Sequence, residues 1–451
     1  MKYQLLHQST EERMELILRG SISKTVLLLA FPTLMMSLVQ SLLPLTDGLY
    51  INNYSGSISA SAVTYGEPVI NLVIGIAQGL GVAAMALIGQ TNGRGEYENA
   101  RRMAVQITAF TMLLSFIAVP LLIGAAFPIS WHVTQEISAG VFRYLALYSA
   151  VLPFAFFQTA FNAIRNAMGH PEDTFIPALL LLAFKTLFNY VFIAWLGLDI
   201  FGCVLASWIS ELLISLWMFY VLFLKKGPER LRLKGFRFER ELTAVLVRLG
   251  IPTMLSNLTM SLGIFLINND VQKYGAVVLN GAGIASNITG VCFIVPAAFG
   301  AAVTTMVSMN IGAGQPEKAK HACTAASGMS IVTSFIMIAF LMSLGNVLTG
   351  CFTRNPEVLA VAVPALHTYA FSIIGFAVCQ VQLGAFVGMG RTRMPLLIGF
   401  LRIWLIRMIF IWFTEPTLGV YAVFWGNLFS NSVAAVLTTA MVLRTRWRSV
   451  I

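Results

Sequence analysis

Apolar runs of about 20 residues or more recur along the whole chain, separated by short polar stretches. Each run is long enough to cross a hydrocarbon core ~30 Å thick as a helix. None shows the strict alternation of polarity that a closed barrel needs. Helices are the spanning structure that satisfies its own backbone in lipid. The pattern predicts twelve spans: Thr25 to Ile51, Ala62 to Ile88, Met103 to Phe127, Ser138 to Ile164, Thr174 to Leu196, Phe201 to Leu224, Leu242 to Asn269, Val278 to Met309, Cys323 to Leu348, Val358 to Val387, Met394 to Phe413 and Leu418 to Leu443. The predicted fold class is an all-α membrane protein. Ahead of span 1, the stretch Glu11 to Leu16 reads as a short cytoplasmic helix, and residues 1–24 lack the apolar core of a cleavable signal.

The chain also repeats itself. Pro32 pairs with Pro252 and Ser41-Leu42 with Ser261-Leu262 at an offset of 220. Gly79, Val82 and Met85 pair with Gly300, Val303 and Met306 at 221, and Met168-Gly169 with Met389-Gly390 at the same offset. Gly93-x-Gly95-x-x-Glu98-x-Ala100 pairs with Gly312-x-Gly314-x-x-Glu317-x-Ala319 at 219. Six spans per half bring both halves into the membrane from the same side. The expected architecture is therefore two six-helix bundles related by a pseudo-two-fold axis along the membrane normal, with a solute site between them near mid-membrane. The predicted organisation is a cytoplasmic segment 1–24, an N-lobe 25–224, a linker 225–241, a C-lobe 242–443 and a tail 444–451. The linker KKGPERLRLKGFRFERE carries seven basic residues, too many to span, and suits an anionic lipid surface.

Composition sharpens this picture. The 451 residues are 57% hydrophobic and 11% charged, with a mean hydropathy of +0.79. The formal net charge of +10 raises the question of nucleic acid, but its placement answers it. With both termini inside, 22 of the 29 Lys and Arg fall in cytoplasmic segments and two, Lys273 and Arg354, in outer loops. That is the positive-inside asymmetry of a membrane protein, so no nucleic-acid partner is expected. Five cysteines without a CxxC pair give no metal or disulfide framework. The five His build no catalytic constellation, and no GKS or GKT nucleotide loop is present. Neither an enzyme nor a cofactor is expected, and energy must come from an ion gradient.

Three features together resemble one family. Pro32 is followed fifteen residues later by Asp47. The exit of span 2, IGQTNGRGEYENARR, recurs after span 8 as VSMNIGAGQPEKAKH. Spans 4 and 10 are followed by AIRNAMGHPEDTFIP and AFVGMGRTRMP. Over about Ser21 to Leu443 the chain is similar to the multidrug and toxic compound extrusion (MATE) family. The resemblance implies a monomeric, multi-pass transporter of the plasma (inner) membrane, both termini cytoplasmic, that exports organic solutes or drugs in exchange for H+ or Na+. A flippase of lipid-linked sugars, from the same wider superfamily, is the alternative.

Ionisable groups inside spans are functional candidates, because each is costly to hold in lipid. Asp47, Glu67 and Glu211 are the acids, all in the N-terminal half. The resemblance implies that Asp47, the acid of span 1, binds the coupling ion, as against an interfacial cap of that helix. A carboxyl there can gain a proton from outside and release it when its surroundings hydrate toward the cytoplasm. Asn189 matches an amide of related members, but Ile193 stands where their second carboxylate lies. Glu211 is the expected substitute, and a Lys185–Glu211 pair between spans 5 and 6 would reconcile two charges of similar depth. Asp47, Lys185, Asn189 and Glu211 are thus the ion-coupling candidates. Glu67 reads as a first-turn acid. In the C-terminal half, Arg402 and Arg407 of span 11 have no acid on any span to neutralise them, and at least one is expected to line the solute path. Gln40, Gln158, Asn162 and Asn189 complete the candidate solute surface, each equally readable as interhelical glue.

Overall fold

The computed structural model describes residues 10–55, 57–131, 135–227, 230–232, 238–274, 276–352 and 355–448. His7, His132, Arg354 and linker positions 228–229 and 233–237 lie outside them. Among the described residues, twelve helices are long and apolar enough to cross a membrane: Ile22–Gly48, Tyr65–Gly93, Tyr97–Trp131, Ile137–Ala167, Glu172–Trp195, Asp199–Leu224, Arg240–Met260, Gly281–Gly312, Pro316–Cys351, Pro356–Gly388, Arg393–Leu418 and Tyr421–Arg444. These are spans 1 to 12. A further helix, Thr10–Arg19, precedes them. The described residues contain no strand.

Two compact units emerge, one built on Met35–Met254 and the other on Glu15–Leu34 with Leu255–Ile451. Spans 1 and 7 therefore change unit after Leu34 and after Met254, two residues beyond Pro32 and Pro252. Those two points are separated by the 220-residue offset of the repeat. In the first unit, Gln106 of span 3 holds the start of span 7, donating to the Glu239 carbonyl and to Thr243 Oγ1, the latter at 2.9 Å. In the second unit, Lys318 Nζ of span 9 donates to the carbonyl of Leu18.

The repeat shows most plainly where helices end. Gly95 and Gly314 have φ of +79° and +71°, and Gly169 and Gly390 both have +82°. A left-handed residue at this point lets the next amide turn back to the helix, and only glycine adopts it without strain. Glu96 N thus reaches the Thr91 carbonyl at 3.2 Å, and Gln315 N reaches that of Asn310 at 2.8 Å. His170 N to Arg165 O at 2.9 Å and Arg391 N to Phe386 O at 2.8 Å make the same closure. The paired GxG and MG motifs are helix stops.

Within lipid the apolar effect does not drive helices together, so close approach rests on small residues. In the second unit, spans 8 and 10 meet at Gly300 and Gly384: a Cβ on Gly384 would run into the Gly300 carbonyl, and one on Gly300 would lie 2.9 Å from the Gln380 carbonyl. The corresponding spans 2 and 4 of the first unit meet at Gly81 and Ala163. Each unit has its own core. Leu145 and Leu152 in the first, and Leu366 and Ile373 at the same positions 221 residues on, are all fully buried. Gly384→Ala is expected to cost about 1–3 kcal/mol through forced separation of two helix backbones, read as a lower unfolding temperature in detergent. Gly283, whose added Cβ would meet nothing within 4 Å, is the control: Gly283→Ala should leave that temperature unchanged or raise it.

Candidate functional site

Lys185 and Asn189 stand four residues apart on span 5 and so share one helix face. Both reach the same carboxylate. Lys185 Nζ lies 2.7 Å from Asp47 Oδ2, with each side chain 9% exposed. Asn189 Nδ2 donates to Asp47 Oδ1 at 2.8 Å. Both oxygens of Asp47 are therefore held by donors from a neighbouring span, which fixes the C-terminal part of span 1 to span 5. Asn189 is completely buried, and its Oδ1 has no hydrogen-bond partner. Just beyond it, residues Tyr190–Trp195 form a π-helical turn, a deviation often found at functional sites.

Glu211 is held differently. Its Oε2 accepts from Gln158 Nε2 at 2.6 Å, a bond from span 4 to span 6. The expected Lys185–Glu211 contact is thus replaced: Lys185 contacts Asp47, and Glu211 contacts an amide. The physical reason is azimuth. Counting residues along spans 5 and 6 places Lys185 and Glu211 at similar depth, but it does not say which way either side chain faces. The Lys185 charge nevertheless acts on Glu211 and on Glu67. One ammonium thus contacts Asp47 and acts at longer range on two further carboxyls. Tyr148 of span 4, half-buried, lies within electrostatic reach of Asp47, Lys185 and Glu211. Sequence reasoning passed over it because a tyrosine in an apolar run reads as core.

Of the remaining solute-surface candidates in the first unit, Gln40 is exposed and Asn162 is half-buried, with an Oδ1 that has no partner. Gln158 and Asn189 are engaged by carboxylates. In the second unit, span 11 becomes π-helical over Leu401–Arg407, and both arginines lie in that segment. Arg402 is 8% exposed. Its guanidinium lies 3.4 Å from Asn431 Oδ1 and 5.3 Å from the centre of the Phe376 ring. Tyr369 lies within electrostatic reach of Arg407. Tyr148 and Tyr369 are 221 residues apart, so the repeat places a tyrosine beside the intramembrane cation in both units.

The Asp47–Lys185 contact makes a stability prediction. Removing one member strands a buried charge, at a cost of about 3–5 kcal/mol, whereas removing both does not. Lys185→Met is expected to lower the unfolding temperature of the purified protein, and Asp47→Asn combined with Lys185→Met to recover most of the loss. A double variant less stable than Lys185→Met alone would show that the pair is not the dominant partner of either group.

Comparison with known proteins places this geometry. The family model MatE matches twice, over residues 32–195 and 252–413, at the 220-residue offset of the repeat. The chain is 21% identical over 399 residues to the probable multidrug resistance protein YoeA of Bacillus subtilis, covering 86% of this chain and 85% of that one. It is 22% identical over 437 residues to the human multidrug and toxin extrusion protein 1, covering 94% and 75%. Its fold matches the outward-facing conformation of a multidrug resistance MATE family transporter of the MOP superfamily with a TM-score of 0.91 at 23% identity, covering 97% of this chain and 98% of that one. These matches favour efflux over the flippase reading. With both halves matched by the family model, the chain belongs to the MatE family, the multidrug and toxic compound extrusion transporters.

Proposed function

We propose that this transporter exports organic solutes in exchange for protons that enter through its N-terminal lobe. The observation that carries the reading is the buried contact of Asp47 with Lys185 and Asn189. A sodium ion needs several open oxygen ligands, and both oxygens of Asp47 already accept from an ammonium and an amide. The chain supplies its own cation at this carboxylate, which favours the proton over sodium. A proton arriving at Asp47 dissolves its ion pair, and the Lys185 ammonium then turns toward Glu211, the mid-membrane carboxyl on which its charge also acts. Glu211 thereby releases its own proton inward and takes Lys185 as its partner. Transfer of the Asp47 proton to Glu211 restores the first pairing, with one proton moved inward per cycle. Lys185 has a carboxylate partner in each resting state, as a buried charge requires. The distribution of Lys and Arg supports a multi-pass protein of the plasma (inner) membrane with both termini in the cytoplasm. We read it as a monomer.

The test uses proteoliposomes loaded with a fluorescent drug and given imposed gradients. A pH gradient, acid outside, should drive export, and a sodium gradient alone should not. Asp47→Asn and Glu211→Gln should each reduce pH-driven export to the level of empty liposomes. Sodium-driven export without a pH gradient would overturn the proton assignment, and wild-type export by Asp47→Asn would overturn the site.

A further inference from the structure

We propose that the C-terminal lobe binds an organic anion between the guanidiniums of Arg402 and Arg407. This goes beyond proton coupling and rests on the export reading only for its physiological sense.

The starting point is an unbalanced charge. Both arginines lie in the π-helical segment Leu401–Arg407 of a membrane span. Arg402 is nine-tenths buried, yet its contacts are a long bond to Asn431 Oδ1 at 3.4 Å, Met260 Sδ at 3.6 Å and the Phe376 ring at 5.3 Å. None of these carries negative charge. Asn431 is itself committed, donating to Asn427 Oδ1 at 2.8 Å. Arg407 has the neutral Tyr369 within electrostatic reach, and its buried Nε has no acceptor. The two guanidiniums stand five residues apart in this one segment, so two like charges share the same stretch of span 11. Among the described residues of this unit, Glu15 is engaged by Arg19, Asp270 by Lys273 and Glu415 by Tyr274. The first unit solves the same problem from within, by placing Asp47 on Lys185. The second unit leaves its counter-charge to be supplied.

The shape of the site names the ligand class. A guanidinium presents a planar fork of N–H donors that fits a carboxylate or a phosphate. Arg407 is partly exposed and Arg402 buried, so one guanidinium is the more accessible of the two. Beside Arg402, Phe376 stacks on Phe293 with ring centres 4.3 Å apart, an apolar wall for a hydrocarbon or aromatic body. The fitting ligand is an amphiphilic anion, with a carboxylate or phosphate on an apolar body. A free organic acid and a phospholipid headgroup share this chemistry.

The experiment is equilibrium binding to the full-length protein in phosphatidylcholine nanodiscs, read by fluorescence polarisation. Fluorescein and rhodamine 123 serve as probes, since they share a xanthene body and differ in charge. Fluorescein should bind saturably, Arg402→Gln and Arg407→Gln should each weaken it about tenfold or more, and Arg402→Lys should retain most of it. Rhodamine 123 binding should be unchanged in all three variants, which also certifies their fold. Discs containing phosphatidylglycerol separate the two sources. If a lipid phosphate is the occupant, phosphatidylglycerol displaces fluorescein, and native mass spectrometry finds it retained by the wild type and lost from the glutamine variants. Either pattern supports the anion site. Equal binding of fluorescein and phosphatidylglycerol to wild type and glutamine variants, or binding of neither to the wild type, would overturn it. Binding needs no gradient, so loss of pH-driven export would leave this result standing, and the converse holds too.

Discussion

A charge inside a membrane must find a partner or bear a large desolvation cost, and this constraint organises both halves of the protein. In the first unit it draws Lys185 and Asn189 of span 5 onto Asp47 of span 1. That single carboxylate, held at both oxygens, ties together two helices that are distant in sequence. It also decides where the other polar groups go. With the ammonium occupied, Glu211 takes an amide donor from Gln158 instead, and span 4 is joined to span 6.

The second unit shows how far chemistry can diverge on a repeated frame. Its helices stop at glycines equivalent to those of the first, with nearly equal φ angles. Its core uses Leu366 and Ile373 where the first uses Leu145 and Leu152. A tyrosine recurs at 148 and 369, and a basic residue recurs at 185 and 402. The acid does not recur in contact with it. Backbone stops and close helix crossings are constraints of packing, and substitution there is resisted by steric overlap. The charge of one side chain is free to change so long as something balances it.

The twelve spans were legible in the sequence because length and apolarity suffice to define them, and the repeat was legible because its motifs are helix stops that only glycine fits. Counting residues gave an expected depth for Asp47, toward the outer part of span 1, and for Glu211, near the middle of span 6. Direction was not legible. Helices so apolar all round carry little sequence signal of which face is turned inward, and so the partner of Lys185 was misassigned to Glu211. Tyr148 escaped for a related reason. Nothing in a run of apolar residues distinguishes a tyrosine that serves a charge from one that fills a core.

The two lobes differ in what their charges can do. Carboxyls and an ammonium can exchange protons and partners, which is the chemistry the proposed cycle asks of Asp47, Lys185 and Glu211. A guanidinium stays protonated at any physiological pH, so Arg402 and Arg407 can change their electrostatic state only by gaining or losing an anion. Duplication supplied two bundles with the same stops and the same crossings. On the proposed reading, exchangeable protons in one and permanent cations in the other let a proton and an organic anion be handled at separate sites within one fold. Neither lobe then has to serve both ligands with the same side chains.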